Sequence, residues 1–517
     1  MRIVKTQVGG VSTSYLILAA IIGILLMAQS TPAAGWPVWP DSSWHDISAT
    51  YGLPQGTESG YIYMHPGVDF HVPAATPVYA INSGYVKAFI TLPDAANPNA
   101  MWRIVVGNTE GSGNCDGYMY AHLDYFTAFT IAGIRVGQWV DEGQYLGDVV
   151  DFHDPSVPNH LHMSIINYAG DSAQWAGNFY SWIYTGNPLD SIAPMDDITP
   201  PVIENAYGNQ LLAFFNPTLT GYFGEGEPIS GDVDIIARIY DNNYFTSWKN
   251  TPYEVLYKIE GNSSIPWTSS VCFNKRFGTY DSIYVIAPVV YQYDAICNTQ
   301  YIWNIKQEYY YNLTNTDNDS LIEVSDYAGC WKTPYFQNGE YKVFVKALDK
   351  AGNSAVDSMT VTVANYFELG GTIDLADDNP NLAGTIITAI ENGAADTTVS
   401  DGSYSIPNVG GAVQIIRISR SGYFTRDTTL FMIENGTLNL ELEAKPYICG
   451  DVNADETVNL IDILYLIDYK YGTPPGPAPQ PEEAGDVNND GSINLIDILY
   501  VIDYKYGTPP GPEPNCG

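Results

Sequence analysis

The stretch "PNHLHMSI" (Pro158–Ile165) places two of the chain's seven histidines, His160 and His162, one residue apart. Its β-type residues predict a strand, in which alternate side chains point to the same face. Both imidazoles therefore share one face, and Leu161 points to the other. Two imidazoles do not complete a catalytic zinc site, because such a site takes three protein ligands and keeps one position open. The third ligand has to come from elsewhere in the chain.

Two upstream stretches supply candidates for that ligand. "MHPGVDFHVP" contains His65 and Asp69, and its Pro66-Gly67 pair predicts a turn rather than a helix. A turn that leads into a strand can still aim both side chains inward. "YMYAHLDYF" predicts a strand that carries His122 between polar and aromatic neighbours. The remaining histidines have no comparable setting and are predicted to be ordinary surface or loop residues: His45, His71 and His153.

All seven histidines fall within residues 36–195, so any histidine chemistry belongs to one domain. Within this segment the runs "TPVYAINSGYVKAFI", "WRIVVGN" and "LHMSIINY" are short and rich in β-branched and aromatic residues. Gly, Pro and Asn separate them. This pattern predicts antiparallel strands joined by turns.

Three motifs in this segment, "HPGVD", "YAHLD" and "HLH" in that order, resemble the lysostaphin/LytM-type zinc metallopeptidases. "VGQWVDEGQYLGDV" fits the barrel-like duplicated hybrid motif of that family, and the resemblance covers residues 60–168. It implies that His65, Asp69 and His162 hold one zinc ion. It also implies that His160 and His122 line the open side of the metal.

The chemistry implied by this resemblance is hydrolysis of peptide bonds in peptidoglycan. Zinc acidifies water and polarises the amide carbonyl. His160 can take the proton of the attacking water, and His122 can stabilise the oxyanion or share the base role. The sequence departs from the family at "DFHDPSVPN", where a Gly/Ser/Thr-rich turn is usual, so we expect a different cleft shape there. Two alternatives stay open: an inactive protein that binds wall peptides or serves in an assembly, and a secreted protease of protein substrates in an extracellular complex.

The length and net charge of the chain limit its domain organisation and its class of partner. Its 517 residues are too many for one core, so we expect several domains. A formal net charge of -37 excludes a nucleic-acid partner, because phosphate binding needs a basic surface. The opening segment "MRIVKTQVGGVSTSYLILAAIIGILLMAQSTPAAG" predicts a signal peptide over residues 1–34, with an uncleaved anchor as the alternative. We therefore expect a secreted or cell-surface protein, or a periplasmic one, with no membrane span after cleavage.

Two β-rich segments follow the histidine domain. Residues 196–366 end in the alternating run "GEYKVFVKALDKAGNSAVDSMTVTV", which predicts an immunoglobulin-like β-sandwich. Residues 367–445 resemble the carboxypeptidase-regulatory-like (transthyretin-like) β-sandwich in "TTVSDGSYSIPNV" and "ISRSGYFTRDTTL". Nothing in either segment converges on a site, which favours a spacer role over a binding role. The predicted fold class is mainly β and multidomain, with a small helical tail.

That tail, residues 446–517, repeats itself from Gly450 and again from Gly485. Calcium takes oxygen ligands from positions 1, 3, 5, 7, 9 and 12 of a twelve-residue loop. The first copy offers Asp451, Asn453, Asp455, the Thr457 carbonyl, Asn459 and Asp462. The second copy offers Asp486, Asn488, Asp490, the Ser492 carbonyl, Asn494 and Asp497. Position 6 favours glycine, which Gly491 provides, whereas the first copy has Glu456; we expect weaker or more strained binding there.

Apolar residues at helical spacing follow each loop, so each loop is expected to lead into one helix. A calcium loop and helix used twice resembles the dockerin type I module. The resemblance implies two calcium ions and a cohesin-type partner; a calcium-stabilised cap without a partner is the alternative. Loop positions 10 and 11, where dockerins often contact their partner, are Leu-Ile in both copies. Of the six cysteines, Cys449 and Cys516 bracket this module and are predicted to form a disulfide, which leaves Cys115, Cys272, Cys297 and Cys330 unassigned.

Overall fold

The computed structural model describes most of the chain outside its N-terminal segment. The described residues are 35–56, 62–91, 97–110, 113–154, 157–170, 182–242, 249–270, 273–277, 285–292 and 309–516. The predicted signal peptide, Cys272 and Cys297 lie outside these ranges. Within them, no helix combines the length and the apolar character that a membrane crossing requires.

An antiparallel sheet dominates residues 35–195, as the strand patterns predict. Its strands and the small pairs beside it are β1 (Ile47–Ala49), β2 (Pro54–Gly56), β3 (Ile62–Met64), β4 (Val68–His71), β5 (Pro77–Tyr79), β6 (Gly84–Ile90), β7 (Arg103–Gly107), β8 (Gly113–Ala121), β9 (Trp139–Val140), β10 (Tyr145–Asp148), β11 (His160–Gly170) and β12 (Trp182–Gly186). The main order is β12-β11-β8-β7-β6-β9, and β4 joins β11 while β1 joins β4. The strand that carries the histidine pair is thus paired on both sides and held at the centre of the sheet.

Residues 196–366 form two further sheets. Their strands are β13 (Val202–Glu204), β14 (Leu212–Asn216), β15 (Gly221–Tyr222), β16 (Asp232–Tyr240), β17 (Glu254–Glu260), β18 (Ile265–Ser269), β19 (Arg276–Phe277), β20 (Tyr310–Asn312), β21 (Leu321–Ile322), β22 (Trp331–Lys332), β23 (Gly339–Leu348) and β24 (Ser354–Val363), with one short helix, α1 (Ala287–Val290). One sheet is built around β16, and the other runs β18-β17-β23-β24. Two sheets from one segment agree with the predicted β-sandwich.

This sandwich and residues 35–195, here called the histidine module, share one sheet and one core, which the sequence does not predict. Strands β19 and β21 continue the main sheet of residues 35–195 beyond β12, and the buried apolar side chains of both segments form one continuous core. Tyr51 is buried at the junction, where its hydroxyl donates to the Thr185 carbonyl at 2.7 Å and accepts from the Phe277 amide at 3.0 Å. The two segments therefore pack as neighbours with a common interior.

Residues 367–445 form a second sandwich with a core of its own. The strands are β25 (Tyr366–Leu375), β26 (Ile386–Ala389), β27 (Ala395–Thr397), β28 (Ser403–Gly410), β29 (Ala412–Ser419), β30 (Arg426–Met432), β31 (Gly436–Thr437) and β32 (Leu440–Leu442). One sheet runs β28-β25 with β31 and β32 beside β25, and the other runs β27-β26-β29-β30. The alternation of buried and exposed residues along β29 is the pattern expected of a strand with one face in the core.

The tail contains two helices of twelve residues, α2 (Leu460–Tyr471) and α3 (Leu495–Tyr506). Ile463 and Leu466 of α2 pack against Ile498 and Val501 of α3 in a small core. The predicted disulfide between Cys449 and Cys516 is present, with 5.6 Å between the Cα atoms. Short 3₁₀ and π-helical turns complete the described structure: Pro98–Met101, Thr127–Ile131, Pro188–Asp190, Val324–Ala328, Thr333–Tyr335 and Glu482–Gly485.

Candidate metal centre

Strand register brings the histidine pair beside the acidic candidate. Strands β11 and β4 are antiparallel, with His162 directly opposite Asp69 and His160 opposite His71. Residues that face each other across an antiparallel pair project to the same side of the sheet. The side chains of His162 and Asp69 therefore meet, although 93 positions separate them in the chain.

The Pro66-Gly67 bend brings His65 to the same place. A Cβ atom on Gly67 would lie only 2.3 Å from the Met163 carbonyl oxygen and 2.5 Å from the Ser164 hydroxyl. Only glycine allows the turn to approach β11 so closely. As predicted, a turn rather than a helix aims His65 and Asp69 inward.

The three predicted ligands converge. His65 Nε2 lies 3.2 Å from Asp69 Oδ1 and 3.0 Å from His162 Nδ1, and His162 Nδ1 lies 2.8 Å from Asp69 Oδ1. All three ligand atoms fall within 4.8 Å of one another, and His65 and Asp69 are buried. Two imidazole nitrogens and one carboxylate are a donor set that suits a zinc ion with an open position.

The outer nitrogens of the two ligand histidines are both occupied. His65 Nδ1 donates to the Thr50 carbonyl at 3.0 Å, which leaves the unprotonated Nε2 facing the site. His162 Nε2 lies 2.9 Å from the hydroxyl of Ser164, which leaves Nδ1 facing the site. Such outer partners fix the orientation of metal-binding imidazoles. The "PNHLHMSI" stretch thus supplies a supporting hydroxyl that its histidine pattern does not reveal.

Burial and neighbouring charge set the protonation of this cluster. Burial alone would raise the pKa of Asp69, but the charges of His65 and His160 and the hydrogen bond from His162 hold that pKa well below its usual range. Burial lowers the pKa of His162 to about 4, although the hydrogen bond with Asp69 and the charge of Asp69 both act to raise it. An ionised carboxylate beside a neutral imidazole is the state that binding a metal cation requires.

His160 and His122 stand beside the three ligands, in the positions implied by the family resemblance. Their ring centroids are 4.6 Å apart, and His160 Nε2 lies 3.7 Å from Asp69 Oδ2. Each ring donates its Nδ1 proton to a backbone carbonyl, His160 to Pro158 at 2.8 Å and His122 to Ala100 at 2.7 Å. In the neutral state both rings therefore present an unprotonated Nε2.

The prediction that His122 lies within a strand is wrong. Strand β8 ends at Ala121, and His122 follows it with a φ of 67°, in the left-handed region that non-glycine residues rarely adopt. This backbone turn aims the imidazole at the site instead of continuing the sheet. Burial, together with His160 and His162, holds the pKa of His122 well below its usual range.

Phe152 is a neighbour of the site that sequence reasoning missed. Its ring stacks on His160 at 5.0 Å with an interplanar angle of 13°, and it lies 4.9 Å from the His122 ring. Its amide donates to the Asn159 side chain at 3.0 Å. Phe152 belongs to "DFHDPSVPN", the stretch that departs from the family pattern. That departure predicts a changed cleft shape, but no motif in it indicates that Phe152 contacts the site.

The other three histidines take no part in the cluster of ligand atoms. His153 has a side chain that is 81% exposed, and His45 bonds only to the nearby Pro40 carbonyl at 2.8 Å. Both agree with the prediction of surface or loop residues. His71 differs, because it is the half-buried last residue of strand β4, directly opposite His160.

The tail brings predicted ligands together in its first loop, and both loops form the same hydrogen bonds. In the first loop the carboxylates of Asp451, Asp455 and Asp462 have oxygens within 4.8 Å of one another. In both loops the position 1 carboxylate accepts from the amides at positions 5 and 6, at 3.1 and 2.7 Å in the first and 3.0 and 2.8 Å in the second. The position 12 carboxylate accepts from the position 9 amide at 2.8 and 2.7 Å. The two loops thus share one fold.

Position 9 has a second role in both loops. The oxygen of Asn459 accepts from the Ile461 amide at 2.7 Å and begins helix α2, and Asn494 does the same for helix α3 through Ile496 at 2.8 Å. A capping asparagine suits position 9, which often reaches calcium through water.

The loops differ at position 6, as expected. Gly491 has a φ of 83°, and Glu456 is forced to a φ of 69° at the equivalent place. The left-handed conformation costs a non-glycine residue roughly 1–2 kcal/mol. The first loop therefore carries the backbone strain that its sequence predicts.

Fold and site together define a multidomain chain that joins a peptidase-type domain to a dockerin tail. The family model described as Peptidase family M23 matches residues 63–174, which contain His65, Asp69, His122, His160 and His162. The model described as Dockerin type I domain matches residues 449–504, which contain both calcium loops. The resemblances stated for these two segments are confirmed, and the transthyretin-like resemblance of residues 367–445 stays a prediction.

Several solved structures are similar to parts of the chain, and all of those described here have low TM-scores. A mutant type II cohesin–X–dockerin complex from Acetivibrio cellulolyticus is 19% identical, with 26% of this chain and 92% of that chain covered and a TM-score of 0.15. LytU is 19% identical over 27% of this chain and 83% of its own, with a TM-score of 0.20. Helicobacter pylori Csd3 is 20% identical over 32% and 35%, with a TM-score of 0.21. No curated protein sequence matches the chain.

Proposed function

We propose that the chain is a secreted or cell-surface zinc endopeptidase that hydrolyses peptide bonds of bacterial peptidoglycan and is tethered through its calcium-dependent tail. The observation that carries this proposal is the convergence of His65, Asp69 and His162 beside two further imidazoles. The match to Peptidase family M23 supports peptide-bond hydrolysis as the reaction class. The acidic charge and the apolar N-terminal segment support a location outside the cytoplasm.

In this proposal the zinc ion is held by His65 Nε2, Asp69 Oδ1 and His162 Nδ1. When bound, zinc acidifies water and polarises the scissile carbonyl. The chain contributes the Asp69 carboxylate and the two imidazoles, whose outer contacts with Thr50 and Ser164 fix their orientation. Little rearrangement is then needed on metal binding.

His160 is the proposed general base. Its Nδ1 proton is committed to the Pro158 carbonyl, so Nε2 is the atom that accepts the proton of the attacking water. Asp69 Oδ2, 3.7 Å from that nitrogen, stabilises the imidazolium that forms. The same nitrogen then returns the proton to the departing amine.

His122 is the proposed partner of His160. Its neutral ring is held by the Ala100 carbonyl and offers only an acceptor at Nε2, so it donates to an oxyanion only after it gains a proton. The His160 ring lies 4.6 Å from the His122 ring, so both imidazoles stand where either can accept a proton from the attacking water. We therefore favour a shared base role for His122 over a role as a neutral donor.

For the tail we propose a cohesin-type partner. The outer faces of the two helices expose apolar residues at matching positions of the repeat: Leu460, Ile461, Leu464 and Ile467 on α2, and Leu495, Ile496, Leu499 and Ile502 on α3. Each of these side chains is between 36 and 57% exposed. An apolar face of this kind favours a protein partner over a simple calcium-stabilised cap. The match to the dockerin model supports a cohesin-type partner.

The function is tested by digestion of two substrates with matched variants. Zinc-loaded wild type is expected to release cross-linked wall peptides, and His162→Ala is expected to release none above background. Asp357→Asn, which alters an exposed side chain of β24 outside the histidine domain, should match wild type. Equal digestion by wild type and His162→Ala would exclude the proposed enzyme. Faster digestion of casein than of wall peptides would replace the wall substrate with protein substrates.

A further inference from the structure

Three buried aspartates meet where residues 35–195 lead into the first sandwich. Asp197 lies in the connecting segment before β13, Asp241 follows the end of β16, and Asp349 follows the end of β23. Each side chain is at most 5% exposed. Each offers a carboxylate oxygen, and these oxygens lie within 4.8 Å of one another. Three acidic groups so close together and so far from water need a compensating charge.

The surrounding hydrogen bonds do not supply that compensation. Asp197 Oδ2 and Asp241 Oδ1 are buried and have no hydrogen-bond partner among the residues that the structure describes. Asn353 donates to both oxygens of Asp349, through its amide at 2.9 Å and its side chain at 2.7 Å. Two oxygens of the cluster are thus left without donors, although each belongs to a side chain that is more than nine-tenths buried.

No cationic side chain neutralises the cluster within the part of the chain that the structure describes. Lys350, next to Asp349 in sequence, directs its ammonium group to Asp190 at 2.6 Å and to the Tyr253 hydroxyl at 3.2 Å. A cavity of about 20 Å³ adjoins the aspartates and is lined by Thr251 and Lys350 as well. That volume suits a single small occupant.

We propose that Asp197, Asp241 and Asp349 bind a calcium ion that ties the connecting segment to two loops of the sandwich. The ligand set contains only carboxylate oxygens, which favours a hard cation over zinc or copper. The three oxygens lie within 4.8 Å of one another, which is close enough for all of them to contact one ion at the calcium–oxygen distance of about 2.4 Å. This site is separate from the histidine cluster and from the tail loops.

The electrostatics agree with this geometry. Burial, followed by the charges of Asp349 and Asp197, raises the pKa of Asp241 to about 8. Burial also raises the pKa of Asp349. A calcium ion would remove the repulsion between the carboxylates that contributes to these pKa shifts. The alternative source of compensating charge is protonation of the aspartates without a metal ion.

Calcium binding here would stabilise the junction of the two modules. Asn353 links Asp349 to the connecting segment, because its side chain also donates to the Asp197 carbonyl at 2.8 Å. Beside Asp241, the paired residue Asn250 donates from its side chain to the Ile47 carbonyl at 3.3 Å and accepts from the Thr50 amide at 3.2 Å. The ion would therefore hold together loops that already contact strand β1 and the approach to His65.

The test counts calcium on the full-length, zinc-loaded chain. Asp451→Ala and Asp486→Ala are combined to remove a position 1 ligand from each tail loop, and the calcium that remains is measured by elemental analysis after equilibrium dialysis. The expected result is one calcium ion per chain in this tail variant. Its melting temperature should also rise when calcium is added. A count of zero would overturn the proposal and favour protons as the compensating charge.

A further substitution assigns the remaining ion to the three aspartates. Adding Asp241→Asn to the tail variant should lower the count from one to zero and abolish the calcium-dependent rise in melting temperature. The control is Asp357→Asn, which removes the same charge from an exposed position of β24 and should keep the count at one. A count that stays at one with Asp241→Asn would contradict the assignment. If that variant does not fold, Asp349→Asn takes its place, and a count of zero in the tail variant alone still overturns the site.

Discussion

The histidine site gathers its residues from separate stretches of the chain, whereas each proposed calcium loop of the tail has all of its predicted ligands within twelve consecutive positions. His65 and His162 lie 97 positions apart, yet their ring nitrogens are 3.0 Å apart, because the register of β4 and β11 aligns Asp69 with His162 and the Pro66-Gly67 bend brings His65 beside them. Asp451 and Asp462 meet through one local turn and the first residues of α2. The first site depends on a whole sheet, and the second on a short segment. Substitutions in the histidine site should therefore have larger effects than substitutions in the calcium loops.

Among variants that keep all three proposed zinc ligands, the largest effect is expected for His160→Ala. Loss of the proposed general base should lower kcat/KM by about 10²–10⁴-fold, because positioned proton transfer contributes that much. Zinc content should stay at the wild-type level, since His160 is not among the three converging ligands. Release of wall peptides and elemental analysis measure the two quantities, with Asp357→Asn as the exposed control. Loss of zinc would show that His160 is itself a ligand.

Ser164→Ala tests whether the contact between the Ser164 hydroxyl and His162 contributes to zinc affinity. The hydroxyl lies 2.9 Å from His162 Nε2, and removing it leaves that nitrogen without its buried partner. Zinc affinity should fall about 10–100-fold, as is usual for such outer contacts. Competition with a chelator gives the affinity, and Ser354→Ala at an exposed strand position is the control. An unchanged affinity would mean that the strand alone orients His162.

Phe152→Ala probes the stretch that departs from the family. Its ring stacks on His160 and also contacts His122, and aromatic contacts of this kind are worth about 0.5–1.5 kcal/mol. We expect kcat to fall up to about tenfold with little change in bound zinc. Phe424→Ala removes a partly exposed phenylalanine outside the histidine module and should have no effect on the rate. If both variants match wild type, Phe152 does not position the imidazoles.

The smallest effect is expected within the calcium loops. Glu456→Gly relieves the left-handed strain of the first loop and should tighten its calcium binding about fivefold, equivalent to about 1 kcal/mol. Gly491→Glu makes the opposite change in the second loop and should weaken it by a similar factor. Calcium titration of the full chain, followed by calorimetry, compares the two. Equal affinities in all three chains would show that position 6 does not limit either loop.

The same contrast explains what the sequence could predict. The calcium loops, their helices and the Cys449–Cys516 disulfide follow from local spacing, and the structure forms the predicted helices and disulfide and gathers the loop ligands. The five histidine-site residues depended on a family resemblance, because no local rule joins His65 to His162.

What the sequence could not supply was contact between distant backbone and side-chain groups. The carbonyl of Thr50 and the ring of Phe152 carry no motif of their own, and they reach the site only through the fold. His122 was placed in a strand because its neighbours are β-type residues, but the positive φ that ends β8 depends on tertiary contacts. The shared core of the histidine module and first sandwich is equally non-local.

The most direct test of the account is the zinc content of the purified chain and two variants. If His65, Asp69 and His162 form the metal centre, wild type should hold one zinc ion per chain, His162→Ala should hold none, and His160→Ala should keep its zinc. The count requires no assumption about substrate. A wild-type chain without zinc, or a His162→Ala variant that retains it, would contradict the proposed centre.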